Sequence, residues 1–203
     1  MATGAARSAN WDVVVLAAGA GTRFGGGKLM SPWRDGVLLD GALSAAFSAP
    51  ARSVVVTWGA DSRIPGVAEA FAARIGGTRR LRLVHAERSG EGMAHSLQAA
   101  IESLAAASDG AFVFLGDMPR VPPGTAAALA QAVLGGAMAA APQFESRRGH
   151  PVLFGAALYP ELLALSGDRG AASVLRDLGP ALALIAAPDD GVLFDVDRPS
   201  DLG

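Results

Sequence analysis

The chain has 203 residues, of which 51% are hydrophobic and 18% charged, with no cysteine and a formal net charge of −2. That length suits one α/β domain with a single core. The missing cysteines exclude disulfides, thiolate nucleophiles and thiolate metal sites, and the near-balanced charge gives no reason to expect nucleic acid or an anionic membrane as partner.

In chain order, "MATGAARSANW" lacks the apolar core of a secretion signal. Residues 1–10 are expected to be a flexible tail on a single domain covering 1–203. Short apolar or β-branched runs, "WDVVVLAA" (11–18), "SVVVTW" (53–58), "LRLVHA" (81–86) and "AFVFLGD" (111–117), are expected strands. Between them, "LLDGALSAAFSA" (38–49), "GMAHSLQAAIESLAAA" (92–107) and "PPGTAAALAQAVL" (122–134) carry helical patterns. Strands that are apolar throughout belong to a sheet covered on both faces, and strand–helix alternation implies a parallel core. The alanine-rich stretch Thr125 to Pro142 reads as a helix followed by a buried strand, not a membrane span. A soluble cytoplasmic protein is the expectation.

After residue 135 the pattern loosens. "AMAAAPQF", "HPVLFG", "LALIAAP" and "VLFDVD" are short strand candidates around one helix, "DRGAASVLRDLG" (168–179). No proline-rich or charged linker divides the chain. The cleft of such a sheet lies at the carboxyl ends of its strands, where the glycine-rich segment after the first strand opens.

That segment, "VVVLAAGAGTRFGGGK" (13–28), is no P-loop, because no Gly-Lys-Ser/Thr ends it. It also lacks the third glycine of a dinucleotide fingerprint, since Phe24 stands in that place. What it offers is glycine backbone able to approach phosphate oxygens, with Arg23 and Lys28 to neutralise a triphosphate. The bland alternative is a turn with two solvated basic residues.

"LAAGAGTRFGGGKL" (16–29) resembles the glycine loop of nucleotidyltransferases that join a nucleoside monophosphate to a small acceptor. Four further segments follow in the order found in the molybdenum cofactor cytidylyltransferase branch and its molybdopterin-guanine dinucleotide synthase relatives. They are "GEGMAHSLQAAI" (90–101), "FLGDMP" (114–119), "GHPVLF" (149–154) and "GDRGAASVL…FDVDRPSDL" (167–202). The resemblance implies one Rossmann-like three-layer α/β/α domain with a mostly parallel mixed sheet, of the nucleotide-diphospho-sugar transferase type. It also implies that Leu16, Ala17, Ala18, Gly19, Gly21, Thr22, Arg23 and Lys28, with Gly92 and Ser96 of the second segment, bind the nucleotide.

Asp117, at the carboxyl tip of an apolar strand, suits Mg²⁺, which takes one or two carboxylates plus substrate phosphates. The resemblance assigns it that role; a turn aspartate is the alternative. Asp195 and Asp197, two apart on an expected strand, share one face and repel unless a cation lies between them. A second metal contact competes there with Asp197 serving the Arg198-Pro199 turn. His95 stands where a serine or threonine is expected, and a helix-surface role would explain it equally. Arg147, Arg148 and His150 border the acceptor in the resembled family, and guanidinium forks match a phosphate-bearing acceptor. A solvated basic turn, with His150 ordering it, is the alternative. Asp168 is a helix N-cap or an acceptor contact.

These parts fit attack of an acceptor phosphate on the α-phosphorus of a nucleoside triphosphate, with pyrophosphate leaving. A phosphate monoester has a second pKa of about 6, so no dedicated base is needed. The expected cofactor is Mg²⁺, with Mn²⁺ as substitute. "Leu-Ala-Ala-Gly" (16–19) resembles the pyrimidine-using branch, and the methyl of Ala18 occupies space that a purine would need. CTP is therefore the expected donor, with molybdopterin as acceptor. Alternatives are a sugar phosphate or phospholactate acceptor, GTP as donor, or a redox or cofactor-carrier protein on the same scaffold.

Overall fold

The valine run of the first strand is buried on both sides. In the computed structural model, which describes residues 9–19, 21, 24–166 and 170–202, Val13, Val14 and Val15 have no exposed surface. The strands are β1 (Trp11–Leu16), β2 (Pro32–Trp33), β3 (Gly36–Val37), β4 (Ser53–Trp58), β5 (Leu81–His85), β6 (Gly110–Leu115), β7 (Ala139–Phe144), β8 (Arg147–Arg148), β9 (Val152–Gly155) and β10 (Leu182–Ala186). The helices are α1 (Leu38–Ser48), α2 (Ile64–Arg74), α3 (Met93–Ser103), α4 (Thr125–Leu134), α5 (Tyr159–Leu163) and α6 (Ala172–Asp177).

The main sheet runs β10-β7-β9-β6-β1-β4-β5, with β8 attached to β7 and with β2 and β3 forming a separate hairpin. β9 is antiparallel to both its neighbours, β6 and β7, while β1, β4, β5 and β6 are mutually parallel. This is the expected mostly parallel mixed sheet. Alternation along β1 divides the core in two. Val13 and Val15 pack with Leu39 and Leu43 of α1, Phe71 of α2 and Leu129 of α4. Val14 packs with Leu97 and Ile101 of α3, Leu162 of α5 and Leu175 of α6. Each fully buried aliphatic side chain contributes about 1.5–3 kcal/mol, so both layers are held by ordinary apolar burial.

Three differences from the sequence expectations bear on the site. Helix α2 was not expected. Its buried Ile64, Ala68, Phe71 and Ala72 follow helical spacing, and Pro65 sits in the first turn, where a missing N–H costs nothing. "VLFDVD" is not a strand: Asp190–Val192 is a 3-10 turn and residues 193–197 belong to no ladder. The helix expected over 168–179 is confined to Ala172–Asp177, and Asp168 lies outside the described residues. The helix-then-strand reading of 125–142 corresponds to α4 and β7. Among the described residues, no helix is long and apolar enough to cross a membrane.

Register places the site. Leu16, the last residue of β1, is aligned with Thr57 of β4 and with Leu115, the last residue of β6. The three parallel strands therefore end nearly level, and the segments that follow them open on one edge.

Candidate active site

At that edge a cavity of about 480 Å³ is lined by Leu16, Ala17, Ala18, Gly19, Gly21, Lys28 and Asp117, all expected from the sequence. Thr22 and Arg23 lie outside the described residues. The "FGGG" stretch turns because Gly25, Gly26 and Gly27 take φ of +91°, +92° and +66° in succession, a run of left-handed residues open only to glycine. Lys28 then opens a short 3-10 turn, Lys28–Met30, anchored by the buried Leu29.

Lys28 is the only lysine of the chain; every other fixed cationic side chain is arginine. A compact ammonium is a point charge, unlike the planar guanidinium fork, and it is directed inward. Lys28 Nζ donates to Asp117 Oδ2 at 2.6 Å across 89 residues of sequence and lies 3.7 Å from Asp197 Oδ1. Its side chain retains only 13% exposure. Asp117 is fixed by backbone: Gly116 N–H donates to the Leu16 carbonyl (3.0 Å), and the buried Met118 anchors the following turn. The C-terminal segment is fastened to it by the Val196 N–H, which donates to the Asp117 carbonyl. Val196 is fully buried while Asp195 and Asp197 on either side are exposed. The two-residue spacing thus keeps the aspartates together without a strand.

Partial burial and the neighbouring Asp197 and Asp117 charges raise the Asp195 carboxyl above its ordinary value. Asp195 thus stands in the field of two further carboxylates, and such a local excess of negative charge is what a cation relieves. Among the described residues no three histidine, aspartate or glutamate side chains form a ready-made metal cage. Carboxylate oxygens such as those of Asp117, Asp195 and Asp197 are the kind of donor a hard divalent cation takes.

Beside Ala18 the chain makes a close approach. A Cβ on Gly59, which follows β4, would lie 3.0 Å from the Ala18 carbonyl and would collide with the Ser89 side chain. Glycine there lets the ends of β1 and β4 meet the loop before α3. Gly92 caps α3 at φ +132°, and Ser96 is buried in its first turn; neither lines the 480 Å³ cavity. His95 bonds Gln98 through Nδ1 (3.0 Å) on the helix itself.

A second cavity, of about 300 Å³, lies beneath α3 and α6 and shares Leu16 with the first. His150 lines it with Arg148; Arg147, expected as an acceptor contact, is exposed on β8 and is not part of this wall. Burial lowers the affinity of the His150 ring for a proton, against opposing pulls from the Val113 carbonyl and Asp117. His150 N–H donates to the Val192 carbonyl at 2.9 Å, so the C-terminal segment closes over this turn.

Sequence reasoning missed Asp61 and Arg63, which line the first cavity from the β4–α2 connection. Their signal was position: two residues apart, immediately beyond the carboxyl end of a parallel strand.

Known proteins share the sequence and the fold. Over 184 residues the chain is 30% identical to the bifunctional protein GlmU of Maricaulis maris (strain MCS10), covering 90% of this chain and 38% of that protein. It is similar in structure to a Mycobacterium tuberculosis Rv0371c homologue from Mycobacterium sp. strain JC1, with 27% identity, a TM-score of 0.76 and coverage of 94% and 92% of the two chains. Rv0371c from Mycobacterium tuberculosis H37Rv gives 25% identity, a TM-score of 0.76 and coverage of 97% and 96%. Residues 13–182 match the MobA-like NTP transferase domain, and the chain belongs to that family.

Proposed function

We propose that the protein transfers a nucleoside monophosphate from a triphosphate, CTP, to a phosphate-bearing acceptor, molybdopterin, with release of pyrophosphate. The observation that carries this reading is the Lys28–Asp117 pair of 2.6 Å at the mouth of the glycine-loop cavity. Neither residue stabilises the core from there, and a metal-and-phosphate site needs both.

The glycine loop would receive the phosphates on backbone N–H groups. Lys28, with Arg23 from outside the described residues, would neutralise charge on the departing pyrophosphate. Asp117, with Asp195 or Asp197, would hold Mg²⁺ or Mn²⁺, which supplies charge neutralisation across the phosphates when bound. Ala18, 7% exposed beside Gly59, would bound the base. Arg148 and His150 would face the acceptor, whose phosphate is already a nucleophile near neutral pH. Catalysis is then positioning plus charge neutralisation, without a general base.

The test is pyrophosphate release with each of the four triphosphates, with and without molybdopterin. Release with CTP that depends on molybdopterin supports the proposal. Release with another triphosphate corrects the donor, and release only with another phosphorylated acceptor corrects the acceptor. No release under any pairing favours a carrier on this scaffold.

A further inference from the structure

Among the described residues, two cations line the glycine-loop cavity, Lys28 and Arg63. Lys28 is engaged by Asp117 and Asp197. Arg63 is held differently. Its Nε–H donates to Asp61 Oδ1 at 2.8 Å and its Nη2–H to Asp61 Oδ2 at 2.7 Å, while Asp61 Oδ1 also accepts the Arg63 backbone N–H at 3.1 Å. The fork is thereby fixed in one orientation although the side chain is 60% exposed.

That orientation lays it on the glycine loop. A Cβ on Gly27 would come within 2.7 Å of Arg63 Nη2, so the guanidinium rests against the backbone one residue before Lys28. A solvent-exposed ion pair between residues two apart joins no distant parts of the chain and contributes little stability. It does hold a planar cation in place over the glycine loop, and the guanidinium edge that Asp61 does not take, Nη1 with the second Nη2 hydrogen, can match phosphate in bidentate fashion.

We infer that Arg63 is a phosphate-binding residue for the β- and γ-phosphates of the bound triphosphate, and that Asp61 is its positioning residue. The inference rests on the nucleotidyl-transfer reading of the same cavity. The second wall of the triphosphate site is then the β4–α2 connection, and the terminal phosphates lie between Arg63 and the Gly25–Lys28 turn.

Calorimetric titration of the whole chain with CTP and with CMP, without metal, separates the possibilities. Wild type is expected to bind CTP more tightly than CMP. Arg63→Ala should weaken CTP binding about tenfold or more and leave CMP within twofold, because one charge-assisted fork to the terminal phosphates is lost. Arg63→Lys and Asp61→Asn should fall between. Thermal midpoints within a few degrees of wild type confirm folding, and Arg63→Gln gives the same reading if the alanine variant does not fold. An Arg63→Ala protein that keeps the wild-type preference for CTP, or loses CTP and CMP equally, overturns the role of Arg63 alone. A folded wild type with no preference for CTP overturns the triphosphate reading of the cavity, and Arg63 with it.

Discussion

The Val196 N–H donates to the carbonyl of Asp117 at 3.1 Å, which ties the segment bearing Asp195 and Asp197 to the tip of β6 bearing Asp117. Residues about eighty positions apart thus share one cation environment. The Lys28 ammonium lies 2.6 Å from one of these carboxylates and 3.7 Å from another.

Asp117→Asn keeps the shape of the side chain but removes the charge that faces Lys28. Turnover dependent on Mg²⁺ should fall on the order of 100-fold or more. The thermal midpoint should shift by only a few degrees, because Asp117 is at the cleft and outside both apolar layers. Steady-state rates over a Mg²⁺ titration, beside thermal unfolding, check both parts. Near-normal Mg²⁺-dependent turnover would remove Asp117 from the site.

The single lysine provides a reading that needs no acceptor. An amine-reactive reagent should modify Lys28, and CTP with Mg²⁺ should protect it while CMP protects less. Peptide mass spectrometry of the segment containing Lys28 measures the extent. Equal modification with and without CTP would place the phosphates elsewhere.

Much of this candidate cavity was legible in the sequence, because its glycine run and Asp117 follow strands that the pattern marks. "VVVLAA", "AFVFLGD" and the glycine run fix three of the elements around the cavity before any long-range contact is known. Asp61 and Arg63 were not legible. They follow a strand that was read, but their helix opens with Ile64-Pro65-Gly66, which masks the apolar spacing of Ala68, Phe71 and Ala72. "VLFDVD" misled for the opposite reason. Its alternation is that of a strand, yet its Val196 N–H is spent on Asp117, so it joins no ladder. Likewise, adjacent Arg147 and Arg148 look equivalent in sequence, and only the placement of β8 against β7 distinguishes them.

Ala18→Gly tests the base. Removing the Ala18 methyl should narrow a preference for CTP over GTP, and competition binding of the two nucleotides measures it. Wild type binding GTP as well as or better than CTP would sink the cytidine choice and leave the family unaffected.

Acid stability should depend on Asp12, a 2%-exposed carboxylate of β1 at the opposite end of the sheet. Burial pushes its pKa up, but hydrogen bonds from Arg52 (two of 3.0 Å) and Ser53 (2.7 Å) outweigh this, and the folded value is below the ordinary one. A depressed folded pKa contributes stability above the unfolded value, near 3.9, and loses it as pH falls through the folded value. Asp12→Asn should cost about 2 kcal/mol at pH 7. The difference from wild type should shrink below about pH 4. Urea denaturation at pH 7 and pH 3 measures both, and a gap that persists unchanged at pH 3 would contradict the assignment.

The most direct measurement is single-turnover transfer of labelled CMP from α-labelled CTP to molybdopterin by wild type and by Lys28→Ala, with nucleotide affinity determined on the same proteins. Charge on the leaving pyrophosphate grows as the α–β bond breaks, so an interaction with it is stronger in the transition state than in the ground state. Wild type should form the CMP-linked product, and Lys28→Ala should slow its formation by a larger factor than it weakens CTP binding. A wild type that binds CTP yet transfers nothing, or a variant whose rate at saturation is unchanged, would contradict a catalytic role for the glycine-loop site.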